Sequence, residues 1–486
     1  MYVCPDGRVD FTRVCDMQWI VLTMSAVLCF IPAAATAAGT PTLTAEQQAL
    51  HVLNRTAFGP APGDVARVAA MGVKAYLDGQ LAPQSPGYPE ALSARLAGLD
   101  VPNRSTGEVL ADFVELRRDV RNEEEGAQRR RAEGLRKMVA ETAEARLLRA
   151  VHSPRQLEEV MVDFWFNHFN VFAGKGSGRA MVAGYERDAI RPHVFGKFAA
   201  LLNATARHLA MLYYLDNNLS KAGALNENYA RELMELHTLG VDSGYTQKDV
   251  TELARMLTGW TFNPRQMIRN GSSFRFDPRL HDKEPKTWLG NAVAASGEAE
   301  GQLALDVLAR HPSTARHISF KLAQYFVQDQ PPPALVERMA RTWRDSSGDI
   351  NAVLRTLFAS DEFMAPGVVG AKFKTPYHYV VSVARASAMP VGDTAPLAQA
   401  LNQLGMPLYG CATPDGYKNT EAAWLNPGAL TRRIAFATSV GARVDLAGLD
   451  DAIGTGISPR TRGMLAANPP RLHAAMLLGS PDFMQR

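Results

Sequence analysis

Apolar residues recur at three- and four-residue spacing along most of the chain, whereas alternating apolar and polar runs are almost absent. The first pattern lays apolar side chains along one stripe of a helix, and the second would build strands. The spacing predicts helices over 44–57, 154–169, 194–215, 226–239, 246–260, 303–310, 312–328, most of 333–363, 376–388 and 426–440. The first of these opens on Thr44-Ala-Glu-Gln47, a capping-box pattern, and carries Leu50, Leu53 and Ala57 at helical spacing. Residues 111–151 are charged, rich in Ala and Leu and free of Pro, which suits one long helix or two with an exposed middle. Residues 261–300, rich in Gly, Pro, Asn and Asp, form the main irregular stretch, with a small hairpin expected around 273–276 and 287–289. No short repeat marks a solenoid. The expected fold is all-α, a large multi-helix body of one or two lobes. Residues 38–150 read as an N-terminal helical region, and 151–486 as the main helical domain that carries the polar motifs.

The leading segment changes the expected location. Residues 19–31 are an unbroken apolar run followed by Pro32 and small residues. As a helix that run covers roughly 20 Å, short of a ~30 Å hydrocarbon core. With Ala35 and Ala37 as an A-x-A site, 1–37 reads as a secretory signal peptide. Asp6, Asp10 and Asp16 offset Arg8 and Arg13 and argue against that reading, and an uncleaved anchor is the second one. Cleavage near Ala37 would leave an exported protein, periplasmic or extracellular, with no stable membrane span. It would also remove Cys4, Cys15 and Cys29, leaving Cys411 with no internal partner.

Composition narrows the classes further. A hydrophobic share of 46% and a charged share of 21% exclude global disorder. The formal net charge of +3 supplies no bulk basic field, so no nucleic-acid partner is expected. Arg129-Arg130-Arg131 reads first as a solvated face paired with 123–125, and second as a contact for an anionic partner. Cys-x-x-Cys pairs, a Gly-x-Ser-x-Gly elbow, phosphate-binding Gly loops and His-Glu-x-x-His are all missing from the sequence.

The densest chemistry lies in Asn226-Glu-Asn-Tyr-Ala-Arg-Glu-Leu-Met-Glu-Leu-His-Thr-Leu-Gly240. At about 100° per residue, Glu227, Asn228, Arg231, Glu232 and Glu235 share one face, and His237 falls on the other. A straight helix therefore cannot gather His237, Glu232 and Glu235 on one metal, and no metal site or cofactor is assigned. Arg231 can pair with only some of its carboxylates. The carboxylate left over, if shielded from water, would have a raised pKa and serve as an acid. The plain alternative is a solvated amphipathic helix.

Further candidates are His168, at the end of an aromatic run, and His281-Asp282 in the irregular stretch, where the alternative for Asp282 is to cap a turn. His311 before Pro312 reads as a helix start. Lys321 and Lys374 are expected to pair with carboxylates of the central helix. The aromatic, turn-rich segment 407–424 reads as a packed loop, or as a stacking surface for a sugar or peptide.

Several of these motifs stand together in one known arrangement. NENYARELMELHTLG followed by YTQKDVTELARMLTGW, with HVLNRTAFGP, FWFNHF, HPSTARHISFKL, FKTPYHYVV and LGMPLYGCATPDGYKNTEAAWLNP, resembles the bacterial exported family catalogued as domain of unknown function 1800. The resemblance covers most of the chain after the leader. It implies export, and it implies as partner a second exported protein resembling the alkaline phosphatase and sulfatase fold. No activity comes with it. From the residues, two expectations remain. One is an exported polymer-acting hydrolase or lyase, using Glu232, Glu235 and Arg231 with His168, His281 and Asp282 as further candidates. The other is a non-catalytic assembly or binding protein whose polar motifs are structural ion networks.

If the leader is a cleaved signal, N-terminal sequencing of the protein from its own host should start near Ala38, in a fraction outside the cytoplasm. A soluble cytoplasmic product that retains Met1 or Met17 would contradict this.

Overall fold

The computed structural model describes residues 43–486 apart from 83–85, 123–124 and 272–273, so the leader lies outside the described residues. Thr44 caps the first helix, Ala45–Thr56, as its sequence predicts: its hydroxyl accepts from the Gln47 amide at 3.2 Å, and the Gln47 side chain accepts from the Thr44 amide at 3.0 Å. The charged stretch forms two helices, Thr106–Arg121 and Ala127–His152, which pack against each other. Gly126, at φ 70°, occupies the left-handed conformation that starts the second. Among the described residues no helix is long and apolar enough to cross a membrane.

Strands are confined to the irregular stretch and its approach. Trp260–Thr261 pairs with Arg275–Phe276, and Lys286–Trp288 pairs with Asn291–Val293, both antiparallel. The segment thus holds two small pairings. The second turns through Leu289 and Gly290, both at positive φ, which is the backbone of a tight hairpin. The architecture is otherwise helical, and the chain from Thr42 onward clusters as one compact unit.

The middle of that unit is the helix Gln156–His168, buried along nearly its whole length. Trp165 and Phe169 stack in it with Phe198, and the Trp165 indole donates to the Val194 carbonyl at 3.2 Å. A charged spine runs through the same region. Arg146 reaches Asp163 at 2.7 Å and Glu186 at 3.4 Å, and Arg191 joins Glu186 at 2.9 Å to Glu159 at 2.8 Å. Tyr409 donates to Glu186 at 2.7 Å, and Tyr325 to Asp163 at 3.2 Å. Arg486 donates to His378 Nε2 at 2.9 Å and to the Tyr325 carbonyl at 2.9 Å. Burial pushes the Glu186 carboxyl up, but Arg191 and Arg146 outweigh it and hold the group at about 2.

Removing one member strands its partners. Arg146→Met should cost roughly 3–5 kcal/mol by urea unfolding, because Asp163 and Glu186 lose a buried cation. Glu186 is held below its ordinary 4.5, so its contribution is present above that pH and is lost as pH falls toward about 2. Acid unfolding should accordingly shift to higher pH in the Arg146 variant. A cost under about 0.5 kcal/mol would show the spine to be energetically idle.

Candidate functional site

The segment with the densest chemistry is not a straight α-helix. Asn228–Glu232 is α-helical, and Leu233–Thr238 widens into a π-helical turn that ends at Gly240, whose φ is 90°. Such turns recur at functional sites, and this one resets the angular positions after Glu232. Arg231 stands 3.3 Å from Glu227 and 3.5 Å from Glu235, and also donates to Gln247 at 2.8 Å. Thr251 donates to Glu227 at 2.7 Å, which ties this ladder to the next helix, Gln247–Met256. The ladder is about one third exposed, with side chains at 36%, 32% and 26%, so each pair contributes only tenths of a kcal/mol.

Glu232 is the carboxylate left over. It makes no hydrogen bond or ion pair among the described residues. Burial raises its pKa, and the charge of Glu235 and, more weakly, of Asp415 add to the rise. Asp415 is a member of a different constellation, a cavity of about 180 Å³ beside the central helix. Six segments build its wall: the central helix with Asp163, Asn167 and His168; Leu236; Lys321, Gln324 and Tyr325; Thr375; Met406; and Asp415 with Tyr417 to Asn419.

The loop that supplies Asp415 is fixed by direct contact with the central helix. The Asn167 amide donates to the Tyr417 carbonyl at 2.8 Å and accepts from the Tyr417 amide at 2.7 Å. Gly416 lies between, at φ 68°, where a Cβ would collide with the Asn167 carbonyl. Tyr417 donates to the Pro407 carbonyl at 3.0 Å, and the Trp424 indole to the Lys418 carbonyl at 2.7 Å. The aromatic segment is a packed loop, with Tyr409 buried on the spine. The same loop buries the free Cys411 thiol.

Lys321 is the unusual group in the cavity. It lies on the helix Pro312–Phe326, opposite the loop, and its ammonium makes no hydrogen bond or ion pair among the described residues. Burial, reinforced by Lys418, lowers it from 10.5 to about 8. Lys418 itself is paired with Asp415 at 2.6 Å. The expected pairing of Lys321 and Lys374 with the central carboxylates is not found. Arg231 already holds Glu227 and Glu235, and Lys374 instead donates to Ser382 at 2.8 Å and rests 4.0 Å over the Phe483 ring.

Three histidines flank Lys321. His168 lies 6.1 Å from His237 and 6.4 Å from His317 between ring centres. His168 Nε2 donates to the His237 carbonyl at 3.1 Å, and its other nitrogen is buried without a partner. Burial lowers all three, His237 to about 3 and His317 to about 4, with Lys321 adding to the effect. They stay neutral, and of the three His168 lines the cavity. Among the described residues no group of three or more His, Cys, Asp or Glu side chains is arranged to hold a metal ion.

His281 and Asp282 belong elsewhere. His281 Nδ1 donates to the Thr258 carbonyl at 2.9 Å, and Nε2 sits 3.1 Å from Glu300, which is fully buried and also 2.9 Å from Lys286. Asp282 takes a two-pronged grip from Arg255 at 2.9 and 3.1 Å and closes a turn to the Glu284 amide. Both pin the second hairpin to its neighbouring helices. His311 caps its helix by accepting from the Ser313 amide. Of the six sequence candidates, His168 lines the cavity, Glu232 lies within electrostatic reach of its Asp415, Arg231 and Glu235 form the outer ladder, and His281 with Asp282 are a separate structural knot.

Residues 51–485 match the family model described as a protein of unknown function (DUF1800). No curated protein and no solved structure matches the chain.

Lys321→Met tests whether the lysine is held for stability. The folded group is lowered to about 8 against an ordinary 10.5, so burying its charge costs most below pH 8. The cost fades as pH rises toward 10.5, because the folded state sheds its proton first. At pH 7 the variant should be more stable than wild type by on the order of 1–3 kcal/mol, and the gap should close under alkaline conditions. A variant less stable than wild type at pH 7 would mean that Lys321 has a structural partner.

Proposed function

The chain belongs to the DUF1800 family, and we propose that it is an exported enzyme that cleaves a polymer of the cell envelope or its surroundings by acid–base chemistry. The observation that carries this reading is Lys321: a shielded amine facing a polar cavity, destabilised by burial and in direct contact with no carboxylate among the described residues. A base has most use when its pKa is near the working pH, and burial is the usual means of bringing lysine there. Glu232 supplies the opposite need, a carboxyl whose pKa is raised by burial and by Glu235. Lys321 would take a proton from water or from a carbon beside a carboxyl, and Glu232 would give one to the departing oxygen. The first route is hydrolysis and the second elimination. Asn167 and the Asp415–Lys418 pair would orient the chain. The export signal and the second exported protein named above are parts of the same proposal.

A second reading has its own support. The buried spine and the Glu300 knot are ion networks of the kind that fix helix registry in a non-catalytic assembly protein. The two readings separate on turnover, because the spine does not include Lys321.

In a screen of cell-wall and extracellular polysaccharides, wild type should release product. Lys321→Met should raise the thermal midpoint and Glu232→Gln should keep it, while each loses turnover by at least about 100-fold. The rate should fall below about pH 8 as Lys321 takes up its proton. Full activity in both variants would remove this site, and no product from any polymer with wild type would favour the assembly protein.

A further inference from the structure

A groove of about 780 Å³ lies apart from the cavity that holds Lys321. One wall is the helix Ala127–His152, and the others are the turn at Phe172 to Gly174, Arg179, the helix Ala395–Gln403 and the loop Pro407 to Gly410. Its charge is one-sided: Arg131, Arg136 and Arg179 line it, and no Asp or Glu does. Among the described residues none of the three has an ion pair or a side-chain hydrogen bond, and Arg131 Nε is buried without a partner. The neighbouring Arg129 is the contrast, paired with Glu133 at 2.8 Å on the outer face. The Arg129-Arg130-Arg131 run therefore divides, with its last member turned into the groove.

Three unpaired guanidiniums side by side repel one another, and an anion relieves that repulsion. The rest of the lining sets the kind of anion. Leu135, Phe172 and Leu408 offer apolar faces, and Gln128 and Asn402 offer amides that suit hydroxyl groups. Arg131 and Arg136 stand about 7.5 Å apart along the helix axis, a spacing for charges repeated along a chain and not for one phosphate. The groove is open to solvent, whereas an acyl chain needs enclosure.

We propose that this groove binds an acidic polysaccharide, its carboxylates held by Arg131, Arg136 and Arg179 and its sugar faces laid on Phe172 and Leu408. Its role as a substrate site rests on the polymer-cleaving reading; its role as a binding site does not. The two cavities share a wall segment, since Pro407 to Tyr409 face the groove and the adjoining Met406 faces the Lys321 cavity. A chain in the groove thus lies along the loop that carries Asp415 and Tyr417.

Isothermal titration of the processed protein with hexamers of polygalacturonate, alginate and hyaluronate tests this, with the methyl ester of each and phosphatidylglycerol vesicles as competing probes. At least one acidic hexamer should bind, its ester at least tenfold more weakly, with affinity falling as salt rises. The double variant Arg131→Gln/Arg136→Gln should lose at least tenfold, while Lys321→Met should bind as wild type does. Equal binding of acid and ester, binding of the vesicles alone, or no binding of any hexamer overturns the proposal. A double variant that binds normally sinks the groove and leaves Lys321 untouched, whereas Lys321→Met that still cleaves sinks the catalytic reading and leaves the groove standing.

Discussion

Arg146 has to find both Asp163 and Glu186 inside the protein, and most of the architecture follows from that requirement. A guanidinium taken out of water costs several kcal/mol unless its partners are positioned to meet it. Here they come from different elements: the central helix supplies Asp163, the π-turn at Tyr185–Ile190 supplies Glu186, and Tyr409 and Tyr325 close the remaining acceptor positions. Sliding any one of these helices by a turn would leave a buried charge without its counterpart. The spine therefore specifies registry more than it adds stability, and the aromatic core around Trp165 fills the space that registry leaves.

The same arithmetic makes Lys321 conspicuous. Lys286 is nearly sealed but stands against Glu300, and Lys372, also sealed, is paired with Asp329. Lys321 has only neutral histidines, a second lysine and a carboxylate already held by that lysine around it. Lys374, sealed as well, has the Ser382 hydroxyl and the Phe483 ring in place of a carboxylate, whereas Lys321 has no direct partner among the described residues and faces a cavity. Selection for stability alone would have replaced it with methionine or leucine.

Much of this was legible in the sequence. Helix spans follow from apolar spacing, and the Thr44 cap follows from the residues that make it. The wheel over 226–240 gave Arg231 more carboxylates than it can hold and left open which one stays unpaired; the i, i+4 partners Glu227 and Glu235 take it, and Glu232 is left over. The wheel could not see the π-turn after Glu232, which answers to packing against Phe169 and the neighbouring helices. Nor could it see that Glu300, distant in sequence, seals His281, or that the charge of Asp415 acts on both Glu232 and Lys321. Loop residues looked functional because loops often are, yet His281 and Asp282 hold a hairpin in place. Lys321, inside an ordinary amphipathic helix, gave no signal beyond membership of a motif. Its meaning lies in the partners it lacks, and those are set by tertiary contacts.

The distances along the chain that the spine bridges bear on how the molecule comes to be folded. Tyr409 and Glu186 are 223 residues apart, Asp163 and Tyr325 are 162 apart, and Arg486 reaches back 108 residues to His378. Closing such loops is slow. A growing chain that has passed Arg191 but not Tyr409 holds every charge of the Arg146 spine and still lacks the tyrosines that complete its hydrogen bonds. The spine is sealed late. The C-terminal half therefore acts as the lock on a core whose charges are laid down in the N-terminal half.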